Sequence, residues 1–410
     1  MMFYLNVTFQ LVKYFFVAFI FILLKIFGLI SYLHMIIAYL IYCIYVRITS
    51  KACLYYTKNN KNEKILSMCP ELSNPRFKPY FLLPFAFQQM ILSEIPLLLH
   101  NKPKVEFREQ KINEYGLTLY WAYFSGFEEI SDQNASILFF LPGMTGDITD
   151  PYVITICIEG LKNGYRVCLY QMRILNENFG VDESRRMSFC EDIDLCLDAI
   201  RKQYKEAKIY GISGSFGANN LLFYLGERNK CFPKDKKKIE AAVSFSNPFQ
   251  MELCSRLCEG TIISSMVTYL EHKNTKKIKD SIDRCPNLSH INTEELLLCE
   301  NPFLFDELFN AKLQGYKTAK EYYTNISSIK NLCDIDIPVL CINSTDDPIS
   351  SYKAIAYEEI KLNPNIFLIV TNKGGHMAFI SNEKLTEFMQ WNLKPAFEFL
   401  NYLRSEGNII

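Results

Sequence analysis

Short apolar runs recur along the middle and end of the chain, each closed by a turn and most separated by a stretch of helical period. They read "SILFFLPG" (136–143), "YRVCLYQM" (165–172), "AKIYGIS" (207–213), "AAVSFSNPF" (241–249), "IPVLCINS" (337–344) and "NIFLIVTN" (365–372). Runs this short and apolar throughout suit strands buried on both faces. Segments such as "SFCEDIDLCLDAIRKQY" (188–204), apolar at every third or fourth position, predict amphipathic helices between them. Alternation of the two implies an α/β fold with a mostly parallel central sheet covered on both sides. Ahead of this rhythm, "KVEFREQKINEYGLTLYWAYF" alternates around a turn-like Asn113–Gly116 and predicts a hairpin. Residues 250–330 interrupt the rhythm: they are helical, mixed in charge and carry Phe303, Phe305 and Phe309, as a cap inserted after a strand would be.

The N-terminus follows another pattern. Ile26 to Val46 contains no Lys, Arg, Asp or Glu. At a rise of about 1.5 Å per residue it is long enough for a hydrocarbon core of about 30 Å. The apolar region is too long for a cleaved signal and no small-residue cleavage site follows it. Residues 1–51 are therefore expected to form a membrane anchor. Arg47, Lys51, Lys58, Lys61 and Lys64 follow the span and Lys13 and Lys25 precede it, which places the large C-terminal part in the cytosol by the positive-inside rule. The polar, Lys- and Asn-rich residues 52–75 read as a linker, leaving 76–410 as the folded domain. "RFKPYFLLPFAFQQMILSEIPLLL" opens that domain as an apolar lead-in packed on its surface or near the membrane.

Bulk properties narrow the function. Lys+Arg and Asp+Glu both number 44, so there is no cationic surplus to displace counterions, and a nucleic-acid partner is not expected. The 14 cysteines show no C-x-x-C pair and no Cys/His cluster at metal-ligand spacing, which fits reduced thiols and a chemistry without metal or cofactor.

In an open α/β sheet, ligands sit beyond the carboxyl ends of the strands. Four of the runs end in chemically suggestive loops: "LPGMTG", "ISGSFG", "TDDP" and "KGGH". They supply an oxyanion-type loop, a serine, an acid and a histidine, in that chain order. A serine hydroxyl needs a base within hydrogen-bond reach, a carboxylate to hold that base in the right tautomer, and backbone N–H groups to meet the developing oxyanion. His376 is the candidate base. The candidate nucleophile is Ser213 or Ser215, and the acid is Asp346 or Asp347.

The blocks "LPGMTG…PYV", "GYRVCLYQMR", "SFGANNLLFYLGE", "SFSNPF", "GYKTAKEYYTNIS", "IPVLCINSTDDP" and "NPNIFLIVTNKGGHMAF" resemble the membrane-anchored α/β-hydrolase-domain proteins known as AB hydrolase family 4, over roughly residues 75–400. The resemblance implies the α/β-hydrolase fold and a serine esterase, phospholipase or acyltransferase acting on lipid or other acyl esters at a membrane. The endoplasmic reticulum is the candidate location; oligomeric state is not implied. Matching block to block puts the nucleophile at Ser215, the acid at Asp347 and the base at His376, with oxyanion donors at Met144 and Phe216. The chain departs from the family pattern at Ser213 and Ala378, both in place of glycines, and at "YQMRI", which keeps Arg173 but loses the following glycine. An altered elbow raises the alternative of a lipid-binding or scaffold protein that keeps the fold without the activity.

Overall fold

The computed structural model describes residues 18–25, 28, 32–93, 103–127, 130, 132–144, 146–180, 187–231, 238–382 and 389–406. Nine strands form one sheet: β1 (Ala52–Tyr55), β2 (Val105–Lys111), β3 (Thr118–Phe124), β4 (Ile137–Leu141), β5 (Arg166–Gln171), β6 (Ile209–Gly214), β7 (Ala241–Phe245), β8 (Val339–Ser344) and β9 (Ile366–Thr371), in the order β1-β9-β8-β7-β6-β4-β5-β3-β2. The six apolar runs are its central strands, and every pair among them is parallel. β2 and β3 form the hairpin, and β3 pairs antiparallel with β5. Its turn is held by the Asn113 carboxamide, which accepts from the N–H of Tyr115 and of Leu117 at 3.0 and 3.1 Å.

Each central strand feeds two cores. On β4, Ile137, Phe139 and Leu141 belong to one apolar cluster, and Leu138 and Phe140 to the other. Helices Phe189–Gln203 and Ser215–Cys231 cover the first face, while Pro151–Lys162 and Leu393–Glu406 cover the second. All connections between parallel strands therefore leave the strand ends facing one way, which gathers the loops after β4, β6, β8 and β9 at one edge.

One expectation for the N-terminal region needs correction. Residues 52–75 are not a linker. β1 pairs antiparallel with β9, from Ala52 opposite Thr371 to Tyr55 opposite Leu368. Helix Asn60–Met68 and the turn Pro70–Ser73 then bury Ile65, Leu66 and Leu72 in the second core, and Glu398 accepts from the Leu72 N–H at 3.1 Å. Most polar letters of this stretch line its outer face and its caps, Asn59 for example accepting from Asn62 N–H at 2.9 Å, while the Asn62 carboxamide is buried and donates to Pro364 O at 2.8 Å.

The apolar N-terminal helix is present. Its described part runs from Tyr32 to Thr49, three residues beyond the expected end; residues 26, 27 and 29–31 lie outside the described residues. It is long and apolar enough to cross a membrane, with mean hydropathy 1.5. One side of it docks on the domain: the Arg47 guanidinium donates to Pro79 O at 2.7 Å and Asn382 Oδ1 at 2.9 Å, and Tyr42 stacks on Phe85 at 5.2 Å. Leu33, Ile36, Ile37, Ile41, Ile44 and Ile48 on the remaining surface are exposed. The departure at "YQMRI" has a structural account as well. Arg173 Nε lies 2.9 Å from both carboxylate oxygens of the buried Asp192, tying the end of β5 to helix Phe189–Gln203. Burial still pushes the Asp192 carboxyl up to about 6.

If residues 52–75 are part of the domain, a chain beginning at Lys51 should be markedly more stable than one beginning at Arg76. Burial of Ile65, Leu66 and Leu72, at about 1.5–3 kcal/mol each, sets the difference at about 5–9 kcal/mol. Urea unfolding of the two truncations measures it; equal midpoints would return the stretch to linker status.

Candidate active site

The turn from β6 into its helix is abrupt: the strand ends at Gly214 and the helix opens at Ser215. Ser213 is the second-to-last residue of β6, is fully buried, and its hydroxyl donates to Val243 O in the neighbouring strand at 3.0 Å. It is committed to the sheet. Two residues on, Ser215 opens the helix at φ 53°, a left-handed conformation that costs a non-glycine residue energy and turns its side chain out of the sheet. Gly217 explains how the helix can begin so abruptly. A Cβ there would lie 2.1 Å from Pro142 O and 2.5 Å from Leu141 O, so only glycine lets the helix back onto the end of β4.

The Ser215 hydroxyl lies 2.7 Å from His376 Nε2, and His376 Nδ1 lies 2.9 Å from Asp347 Oδ2. The other Asp347 oxygen accepts the N–H groups of Ile349 and Ser350, both at 2.8 Å, so the carboxylate is aimed by its own backbone turn. Its side chain is fully buried. The structure thus brings together Ser215, His376 and Asp347 of the residues expected from sequence, and leaves Ser213 apart. Asp346 faces elsewhere: it accepts the Gly375 N–H at 2.9 Å and steadies the loop that carries the histidine.

That loop is held from three further sides. Ser344 Oγ donates to Gly375 O at 3.0 Å, Met377 N–H donates to Ser246 Oγ at 3.0 Å, and Phe379 N–H donates to Gly374 O at 2.9 Å. The loss of a glycine at Ala378 is accommodated because the left-handed positions fall on its neighbours, Met377 at 62° and Phe379 at 44°. Ala378 itself packs with Leu83 and Ile380. Ser246, also left-handed at 48°, was not foreseen from sequence; a serine after a strand carries no distinguishing signal.

Met144 and Phe216, the expected oxyanion donors, both line the cavity that Ser215 and His376 face. The loop of Met144 has an anchor that sequence reasoning missed. Gly143 N–H donates to the Tyr152 hydroxyl at 3.0 Å, which spends that donor on holding the loop and leaves the next one, on Met144, as the candidate. The tyrosine stands in "PYV", a block already noted for its resemblance, so its presence was legible but its task was not. Phe216 follows Ser215 in the first turn of a helix, where unpaired N–H groups and the helix dipole favour a developing negative charge.

The cavity measures about 300 Å³ and is roofed by helices between β7 and β8, including Met251–Cys258 and Ile262–Arg284. Cys254 and Cys258 also line it, but burial pushes the Cys254 thiol up to about 12, so no thiolate competes with the serine near neutral pH.

A serine at a strained strand-to-helix turn, a histidine and a buried carboxylate at other strand ends, under a helical cap, define a protein of the α/β-hydrolase class. The comparison with known families agrees. Residues 137–383 match the alpha/beta hydrolase fold family, and the chain belongs to that family. Among curated proteins it is 28% identical to the phospholipase ABHD3 of Bos taurus, over 68% of this chain and 68% of that one. It is also 28% identical to a monoacylglycerol lipase of Saccharomyces cerevisiae, over 67% of this chain and 61% of the other. An abhydrolase domain-containing protein of Dictyostelium discoideum is 26% identical over 87% of this chain and 95% of its own length.

Tyr152→Phe removes the acceptor for Gly143 N–H and frees the loop. Fluorophosphonate labelling of Ser215 is expected to slow by on the order of 10-fold, less than the loss of an oxyanion donor outright. An unchanged labelling rate would show that the loop holds its shape without the tyrosine.

Proposed function

We propose that this protein is a membrane-anchored serine hydrolase that cleaves carboxylic acyl esters of lipids. The observation that carries the reading is the unbroken hydrogen-bond chain from Ser215 through His376 to Asp347. His376 takes the Ser215 proton as the hydroxyl attacks the ester carbonyl, and Asp347 stabilises the imidazolium that results. The N–H groups of Phe216 and Met144 meet the oxyanion. His376 then protonates the departing alcohol, leaving an acyl-enzyme that water, activated by the same histidine, hydrolyses.

The lipid substrate class is supported by the relatives named as a phospholipase and a monoacylglycerol lipase. It is supported also by the path from helix Tyr32–Thr49 to the cavity. Tyr42 of that helix stacks on Phe85, Phe85 opens helix Ala86–Leu92, and Met90 of this helix lines the cavity. An anchored enzyme arranged this way faces substrates that reside in the bilayer. Ser213 at the usual glycine position gives no support to a non-catalytic scaffold, because its hydroxyl is satisfied within the sheet and the elbow bends at Ser215 regardless.

The wild-type protein is expected to label with a fluorophosphonate probe and to hydrolyse acyl esters. Ser215→Ala should abolish both, whereas Ser213→Ala should leave labelling intact. Labelling lost in Ser213→Ala and kept in Ser215→Ala would sink the assignment.

A further inference from the structure

The first half of the cap helix Ile262–Arg284 turns polar residues inward. Ile262 and Tyr269, at 64% and 68%, are exposed, while Ser264, Thr268, Glu271 and Thr275 are buried. The spacing of these four puts one polar stripe along the inner face. Two of the hydroxyls are consumed by the helix itself, Thr268 donating to Ser264 O and Thr275 to Glu271 O, both at 2.9 Å. The other two groups are not. Ser264 Oγ and both carboxyl oxygens of Glu271 are buried without a hydrogen-bond partner, and both residues line the cavity that holds Ser215 and His376. Glu271 is only 3% exposed.

A buried carboxyl with no partner is costly, and native interiors rarely keep one without use. Burial, with the nearby Asp306 adding to it, raises the Glu271 carboxyl well above the ordinary range. A protonated carboxyl offers one donor and one acceptor. Asp306 is already engaged, accepting from the Tyr323 hydroxyl at 2.5 Å and from the Asn310 carboxamide. The charge character of the cavity points the same way. Its described lining includes three acids, Glu259, Glu271 and Asp306, and neither Lys nor Arg. A phosphate group brought inside would meet no counter-charge among these residues and would be repelled by any acid that ionised. A quaternary ammonium would favour an ionised Glu271, against the burial that raises its carboxyl.

We propose that the cavity takes uncharged acyl esters bearing a free hydroxyl, of the acylglycerol kind, and that Glu271 is the residue that hydrogen-bonds this hydroxyl. The proposal rests on the hydrolase reading above and narrows its substrate. Glu271 acts here as a specificity determinant: it exchanges a donor and an acceptor with the alcohol portion of the substrate and takes no part in proton transfer at the ester.

The test uses the full chain in detergent micelles, with a 1-monoacylglycerol, the ethyl ester of the same acid, a phosphatidylcholine and an acylcholine carrying the same chain. The wild type is expected to turn over the monoacylglycerol with the highest kcat/KM of the four. Glu271→Leu should lower the ratio of kcat/KM for monoacylglycerol over ethyl ester by about 10-fold or more, since a site built around a substrate hydroxyl discriminates through it. Glu271→Gln, which keeps a donor and an acceptor, should hold the ratio within about 3-fold of wild type. An unchanged ratio in Glu271→Leu, with Ser215 still labelled by the fluorophosphonate, overturns the role of Glu271 alone. Phosphatidylcholine or acylcholine exceeding the monoacylglycerol in the wild type overturns the substrate class, and that comparison decides the matter even if Glu271→Leu does not fold. Absence of labelling and of any ester hydrolysis in the wild type overturns the hydrolase reading and this inference with it.

Discussion

Ser215 stands at φ 53° because the helix behind it presses onto the end of β4 at Gly217, where the nearest carbonyl would lie 2.1 Å from any Cβ. This close approach of helix to strand is the constraint on which the site depends. It forces the left-handed turn, turns the serine out of the sheet, and brings the loop of Gly143 and Met144 beside the hydroxyl: a Cβ on Gly143 would sit 3.8 Å from Ser215 Oγ. A left-handed residue of this type costs on the order of 1–3 kcal/mol, which the surrounding β sheet offsets with a buried apolar strand on either side of β6.

The rest of the site repeats the same economy of backbone. Asp347 is aimed by two N–H groups of its own turn, and the His376 loop is fastened through Asp346, Ser344 and Ser246. Four non-glycine residues in the described structure are left-handed, namely Ser215, Ser246, Met377 and Phe379. The first is the candidate nucleophile, two flank the histidine loop and the fourth, Ser246, bonds that loop. Strain is concentrated where side chains must converge, while the strands beneath are regular and apolar on both faces.

The first half of the cap helix turns Ser264, Thr268 and Glu271 inward while Ile262, Met266 and Tyr269 are exposed, which brings the Glu271 carboxyl to the cavity wall. The apolar helix Tyr32–Thr49 shows a related division, one side docked through Arg47 and Tyr42 and the other apolar and exposed. Both elements leave apolar side chains exposed.

How much of this was readable from the chain depended on the range of the interactions. The central strands were legible because parallel strands buried on both faces leave uninterrupted apolar runs, such as "ILFFL" and "IFLIVT". The serine, acid and histidine were legible as loops after such runs, in chain order. Sequence alone determined the six central strands, the β2–β3 hairpin and the strand-end loops, all set by local pattern. Tertiary structure decided what pattern does not encode. It separated Ser215 from Ser213 and Asp347 from Asp346 by which side chain reaches His376. It turned residues 52–75 from a polar spacer into β1 and a packed helix, because their partners, β9 and Glu398, lie more than 300 residues away. It also assigned Tyr152 to the Gly143 N–H and left Glu271 unpaired in the cavity. Contacts between distant segments depend on where the whole sheet brings them, and a tyrosine or glutamate reads the same in sequence whether or not it finds a partner.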